Sequence, residues 1–139
     1  MGQVVAIDSV IFIYVWNKQP EFFKQSKKIL EQISSGSVHG IFAQIGLIEL
    51  LTGPKKLGRG SLALLYKERV KNLPNLEILG MSDRVVDIAS GLRAKYNLRT
   101  PDAIHIATAI DGGADKFITN DKNLKKVKEI NIELLVEQK

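Results

Sequence analysis

A chain of 139 residues has room for one hydrophobic core, since two half-size domains would each bury too little surface. Hydrophobic residues at 45% and charged residues at 25% exclude a disordered chain, and the lack of cysteine excludes disulfides, thiolate nucleophiles and cysteine-held zinc. Twenty Lys and Arg against 15 Asp and Glu leave a formal charge of +5, which favours anionic partners such as nucleic acid, anionic lipid or an acidic protein segment.

In chain order, Val4–Ile7 is a short β-branched run, apolar on both faces as a buried parallel strand requires. Asp8-Ser9 ends it, and either residue can cap a short helix over Ile11–Trp16. Pro20 is expected to open a longer helix with Phe22, Phe23, Ile29, Leu30 and Ile33 on its apolar stripe, stopped by Ser34-Ser35-Gly36-Ser37. A second strand follows over Val38–Ala43. A helix over Gln44–Thr52 is expected to break at Gly53-Pro54.

Ser61–Asn72 reads as another helix, Asn75–Leu79 as a third strand, and Ser82 as the cap of a helix reaching Tyr96. Thr100-Pro101 marks a helix start, with threonine expected at the cap, and Gly112-Gly113 closes that helix. Lys116–Thr119 and Ile132–Val136 complete the strands. The alternation predicts an α/β fold, a single domain over residues 1–139, with a parallel sheet covered on both faces. No apolar run approaches the ~20 residues of a membrane span. The stretch Val4–Trp16 is broken by Asp8 and lacks the basic start of a signal peptide. A soluble cytoplasmic protein with no membrane partner is therefore expected.

Several familiar chemistries fail. Gly53–Gly58 has phosphate-loop spacing but continues Arg59-Gly60 and follows a helix, so it lacks amides feeding a helix start. No dinucleotide fingerprint follows the first strand, and no serine sits in a nucleophile elbow. His39 and His105 have no partner at metal-ligand spacing, so His105, alone on an apolar helix, reads as structural.

Four acids stand out. Asp8 and Asp121 follow strands, and the carboxyl ends of parallel strands are where ligands bind. Glu49 lies inside the apolar stretch Ile45–Leu51, where an unpaired carboxylate is costly. Asp102 occupies a helix first turn. Each also has a local reading: Asp8 as a cap, Asp102 as a partner of the helix N-terminus worth roughly 0.3–1 kcal/mol, Asp121 as a turn residue with Asn120, Glu49 on a solvent face. As a set they point to a cation, because like charges gathered in one cleft need neutralising. Magnesium takes oxygen ligands and substrate phosphate together. A receiver or haloacid-type phosphotransferase would need an acidic pair near the first strand, where this chain has Asp8-Ser9-Val10.

The ordered segments "AIDSVIFIYVW", "LIELLTGP", "RTPDAIHIATAI" and "FITND" resemble the PIN-domain family, especially its small VapC-like toxin branch, over essentially the whole chain. That resemblance implies a three-layer α/β/α sandwich around a central, mostly parallel sheet of four to five strands. It implies an endoribonuclease using Mg2+ or Mn2+, with Asp8, Asp102 and Asp121 as metal ligands and Glu49 at a second ion or orienting the attacking water. Ser9, Thr119 and Asn120 would stand behind the ligands; Ser9-Val10 replaces the commoner Thr-Asn of the family. The resemblance further implies an RNA substrate, an antitoxin protein partner and a homodimer. Relatives that process RNA without being toxins, and a silent scaffold holding RNA or protein, are the alternatives. The basic residues Lys55, Lys56, Arg59, Arg99, Lys122, Lys125 and Lys126 are candidates for the RNA backbone, or else a solvated surface. Apolar Ile11, Ile13, Tyr14 and Trp16 suit either core or interface.

Overall fold

The computed structural model describes residues 2–136. Its strands are β1 (Gln3–Ile7), β2 (Val38–Ala43), β3 (Leu76–Leu79), β4 (Lys116–Thr119) and β5 (Asn131–Leu134). Its helices are α1 (Val10–Trp16), α2 (Phe23–Ser34), α3 (Ile45–Lys56), α4 (Gly60–Lys71), α5 (Asp83–Tyr96) and α6 (Thr100–Asp111), with a 3-10 turn over Lys122–Lys126. The strands form one sheet in the order β3-β2-β1-β4-β5, and every pairing is parallel.

Side chains alternate across that sheet with the period of two that strand geometry imposes. Val5, Ile7, Phe42 and Ile118 face a core shared with α1, α2, α3 and α4. Ala6, Ile41, Phe117 and Ile132 face the opposite core, filled by α5, α6 and the 3-10 turn. Handedness accounts for the division. Right-handed crossovers that build outward from β1 to β3 must lie on one face, and those that return to β4 and β5 on the other. Three layers result, with β1 at the centre.

Some element ends differ from expectation. Helix α3 runs through Gly53 and Pro54 rather than breaking there. Proline withdraws only its own intrahelical donor, and the amides of Leu57 and Gly58 still reach the carbonyls of Gly53, Pro54 and Lys55 to close the last turn. Helix α2 begins at Phe23, because Phe22 and Phe23 first turn back onto the Gln19 carbonyl. Arg99, not Thr100, holds the extended cap position of α6, and no side chain caps it. Ser82 does cap α5, accepting from the Val85 amide. Ile11 is buried, and Ile13, Tyr14 and Trp16 pack half-buried against the first core, so α1 chiefly serves the interior.

Candidate metal centre

The strand order reverses between β1 and β4, which places a crevice at their carboxyl ends. Ile7 pairs with Ile118, and the Asp8 amide continues the ladder by donating to the Ile118 carbonyl at 3.0 Å. The Asp8 residue is thereby placed at the carboxyl end of the central strand. Thr119 Oγ1 donates to Asp8 Oδ2 at 2.7 Å and itself accepts from the Asp121 amide at 3.2 Å, so Thr119 ties the ends of two strands together.

Ser9 occupies the cap position of α1 without capping it. Its hydroxyl lies 3.3 Å from Asp8 Oδ1 and 3.1 Å from Glu49 Oε1, and its one proton serves either carboxylate. Glu49 arrives from α3, three residues beyond Gly46, whose missing Cβ lets the helix lie against the Phe42 ring. Glu49 Oε1 also meets His105 Nε2 of α6 at 2.6 Å. The donor atoms of Asp8, Glu49 and His105 all lie within 4.8 Å of one another.

Asp102 sits one turn before His105 in α6, its side chain 14% exposed, and accepts from Arg99 Nε at 3.2 Å. Asp102 and Asp121 stand outside the tight group of three, yet the charges overlap. His105 feels Asp8, Glu49 and Asp102, while Arg99 feels Asp102, Glu49 and Asp121. Burial pushes the His105 imidazole toward neutrality, but its bond to Glu49 and the surrounding carboxylates outweigh this and raise its pKa. Burial likewise pushes the Glu49 carboxyl up, and is outweighed by His105, Ser9 and Arg99, which hold it below its ordinary value.

A family model for the PIN domain matches residues 5–130. The chain belongs to the PIN-domain family. Solved structures share the fold of this PIN domain at low identity. VapBC2 from Rickettsia felis bound to a promoter DNA fragment is 20% identical with a TM-score of 0.77, covering 96% of this chain and 99% of that one. DNA-bound VapBC from Salmonella typhimurium is 19% identical with a TM-score of 0.71, covering 96% and 98%. FitAcB from Neisseria gonorrhoeae is 18% identical with a TM-score of 0.69, covering 93% and 96%. A comparison with curated proteins found no match.

Within this PIN domain the expected residues separate into groups. Asp8 and Glu49 are grouped with His105, Asp102 lies one turn before His105 in α6, and Asp121 follows β4 with its amide on Thr119 Oγ1. Asp121 also fills its local role, since its Oδ1 accepts from the Asn123 amide and caps the 3-10 turn. Asn120 is engaged elsewhere, donating to the Tyr14 hydroxyl at 2.7 Å. Lys125 donates to the Ile132 carbonyl at 2.6 Å and Arg99 pairs with Asp102, though both residues remain exposed. Lys55, Lys56, Arg59, Lys122 and Lys126 are exposed.

His105 is the residue that sequence reasoning missed. It is buried, as a structural histidine would be, but it bonds to a candidate ligand and offers a donor atom to the same centre. Its signal was the spacing from Asp102, which puts both side chains on one face of α6.

Proposed function

We propose that this PIN domain is a metal-dependent endoribonuclease, the toxin of a toxin–antitoxin pair. The observation that supports the reading is the grouping of Asp8, Glu49 and the buried His105, with donor atoms within 4.8 Å of one another, at the switch point of a parallel sheet, and Asp102 one turn before His105 in α6. The donors fit a hard divalent cation: they are carboxylate oxygens, and the chain has no thiolate to favour a softer metal. Mg2+ or Mn2+ would be held by Asp8, Glu49, Asp102 and Asp121, directly or through water, and supplies charge neutralisation, Lewis acidity toward phosphate and a more acidic water.

The chain's own groups do the positioning. Thr119 donates to Asp8 and fixes which oxygen it presents, while Ser9 gives its one proton to Asp8 or to Glu49. His105 orients Glu49, whose depressed pKa keeps it ionised to accept a hydrogen bond from the attacking water. That water attacks phosphorus opposite the leaving oxygen and releases one proton to solvent, the P–O bond breaks, and the leaving oxygen takes a proton from solvent. Arg99, beside Asp102, presents its guanidinium to the phosphate of the strand, and Lys55, Lys56, Arg59 and Lys122 are its flanking contacts.

Substituting Asp102→Asn or Asp8→Asn tests this directly. Cleavage of a mixed single-stranded RNA pool should fall by on the order of 10²-fold or more, with the circular dichroism spectrum unchanged. Undiminished cleavage by either folded variant refutes the site, and no metal-dependent turnover by the unaltered chain favours the silent scaffold.

A cytoplasmic location, an antitoxin partner and a dimer of toxins belong to the same reading. The lack of a membrane-crossing helix among the described residues suits the first. The folds shared with VapBC and FitAcB complexes support the second. The exposed apolar side chains Ile48, Leu64, Leu65 and Met81 offer surface for a protein contact. Co-expression with the product of the adjoining gene should yield a complex with suppressed RNA cleavage; two separate, fully active species would contradict the pairing.

A further inference from the structure

A second concavity opens beside the acids, between the end of α1, the last turns of α3 and the first turns of α4. It encloses about 340 Å3, toward the lower end of the range for small-ligand sites. Trp16, Asn17, Glu49, Arg59 and Tyr66 line it, with leucine and isoleucine side chains completing the walls. Glu49 belongs both to this cleft and to the group with Asp8 and His105, so whatever enters the cleft lies against the acidic centre.

The lining has a particular chemistry. Trp16 and Tyr66 stack at 4.0 Å between ring centroids with planes 12° apart, and both rings stay partly exposed. Asn17, exposed at the end of α1, carries an amide that both donates and accepts. Arg59 is exposed and makes no ion pair among the described residues. Planar aromatic surface, an amide and an uncommitted guanidinium match the face, edge and phosphate of one nucleotide. An apolar peptide side chain would use only the first of these.

We propose that this cleft receives one nucleobase of the strand being cut, stacked with the Trp16–Tyr66 pair, while Arg59 holds an adjoining phosphate. The inference rests on the nuclease reading above and adds to it a subsite that selects an unpaired, splayed base. Double-stranded RNA, whose bases are stacked on one another, cannot use it.

Trp16 is the sole tryptophan, so its fluorescence reports on this cleft. The probe is a short mixed-sequence single-stranded RNA, compared with the same strand carrying one abasic position moved along its length. Binding is followed in the Asp8→Asn protein, and cleavage in the otherwise unaltered chain. RNA should change Trp16 emission saturably, and an abasic residue at one position should weaken binding about tenfold. In the cleaving protein, Tyr66→Leu should raise KM about tenfold and leave kcat within about twofold, while Tyr66→Phe keeps the original KM.

The abasic comparison uses protein with an intact cleft, so it stands even should Tyr66→Leu misfold. RNA that changes Trp16 emission without ever being cut overturns the nuclease reading and retains the base site. RNA that is cut with the same KM by Tyr66→Leu, at unchanged Trp16 emission and with no preferred abasic position, overturns the base site and leaves the nuclease reading intact. Emission that responds to a protein partner and not to RNA overturns the base site as well.

Discussion

Glu49 and His105 show how far one contact departs from what either residue suggests alone. Glu49 keeps 33% of its side chain exposed, whereas His105 is buried in an apolar helix, and the 2.6 Å contact gives the buried imidazole its partner. The pair also makes metal-free stability depend on pH from both sides. Glu49 is held below its ordinary 4.5, so its contribution is complete above that pH and disappears as pH falls through the lowered value. His105 is held above its ordinary 6.5, so its contribution is complete below that pH and disappears as pH rises through the raised value. In metal-stripped protein, the gap in urea midpoint between the unaltered chain and His105→Gln should therefore be widest between 4.5 and 6.5 and narrow on either side. A gap that does not change with pH would mean that the pair is not ionic.

At the scale of elements, the approach of α3 to β2 sets where Glu49 lands. A Cβ on Gly46 would lie 2.2 Å from Cζ of Phe42, a ring fully buried in the first core with no room to swing away. Gly46→Ala should gain roughly 1 kcal/mol of helix propensity and lose more through overpacking, typically about 1–3 kcal/mol. The expected result is a lower melting temperature together with reduced RNA cleavage, as α3 is pushed outward and takes Glu49 with it. A stabilised, fully active Gly46→Ala variant would show that the close approach is not what positions the acid. The same helix marks a limit of reading elements from sequence. Gly53-Pro54 looks like a break, yet a proline near a helix end forfeits a single bond and the turn closes over it. The strands were easier, because short apolar runs such as Val4–Ile7 and Ile41–Ala43 have no competing periodicity.

For the molecule as a whole, the parallel sheet and its two covered faces were legible because strand and helix alternate and crossovers have one hand. That logic also located Asp8 and Asp121, since both simply follow strands that turn out to be neighbours. Glu49 and Asp102 stood out by an apolar stretch and a helix first turn, but their roles depended on the family resemblance, because how α3 and α6 meet across the end of the sheet is a tertiary fact. For the same reason the contact of His105 with Glu49 and the stacking of Trp16 on Tyr66 were illegible: each joins residues far apart in the chain through side-chain contact alone. Asp8, Glu49 and His105 grouped at the carboxyl ends of central strands, in a chain with a formal charge of +5, are consistent with the proposed action on a polyanion.

The rate of cleavage of one single-stranded RNA, followed as metal-stripped protein is titrated with Mg2+, tests that account most directly. It predicts no cleavage before metal is added and a saturable rise as the acids fill. Cleavage that persists in the presence of chelator, or RNA left intact at saturating Mg2+ and Mn2+ alike, would contradict it.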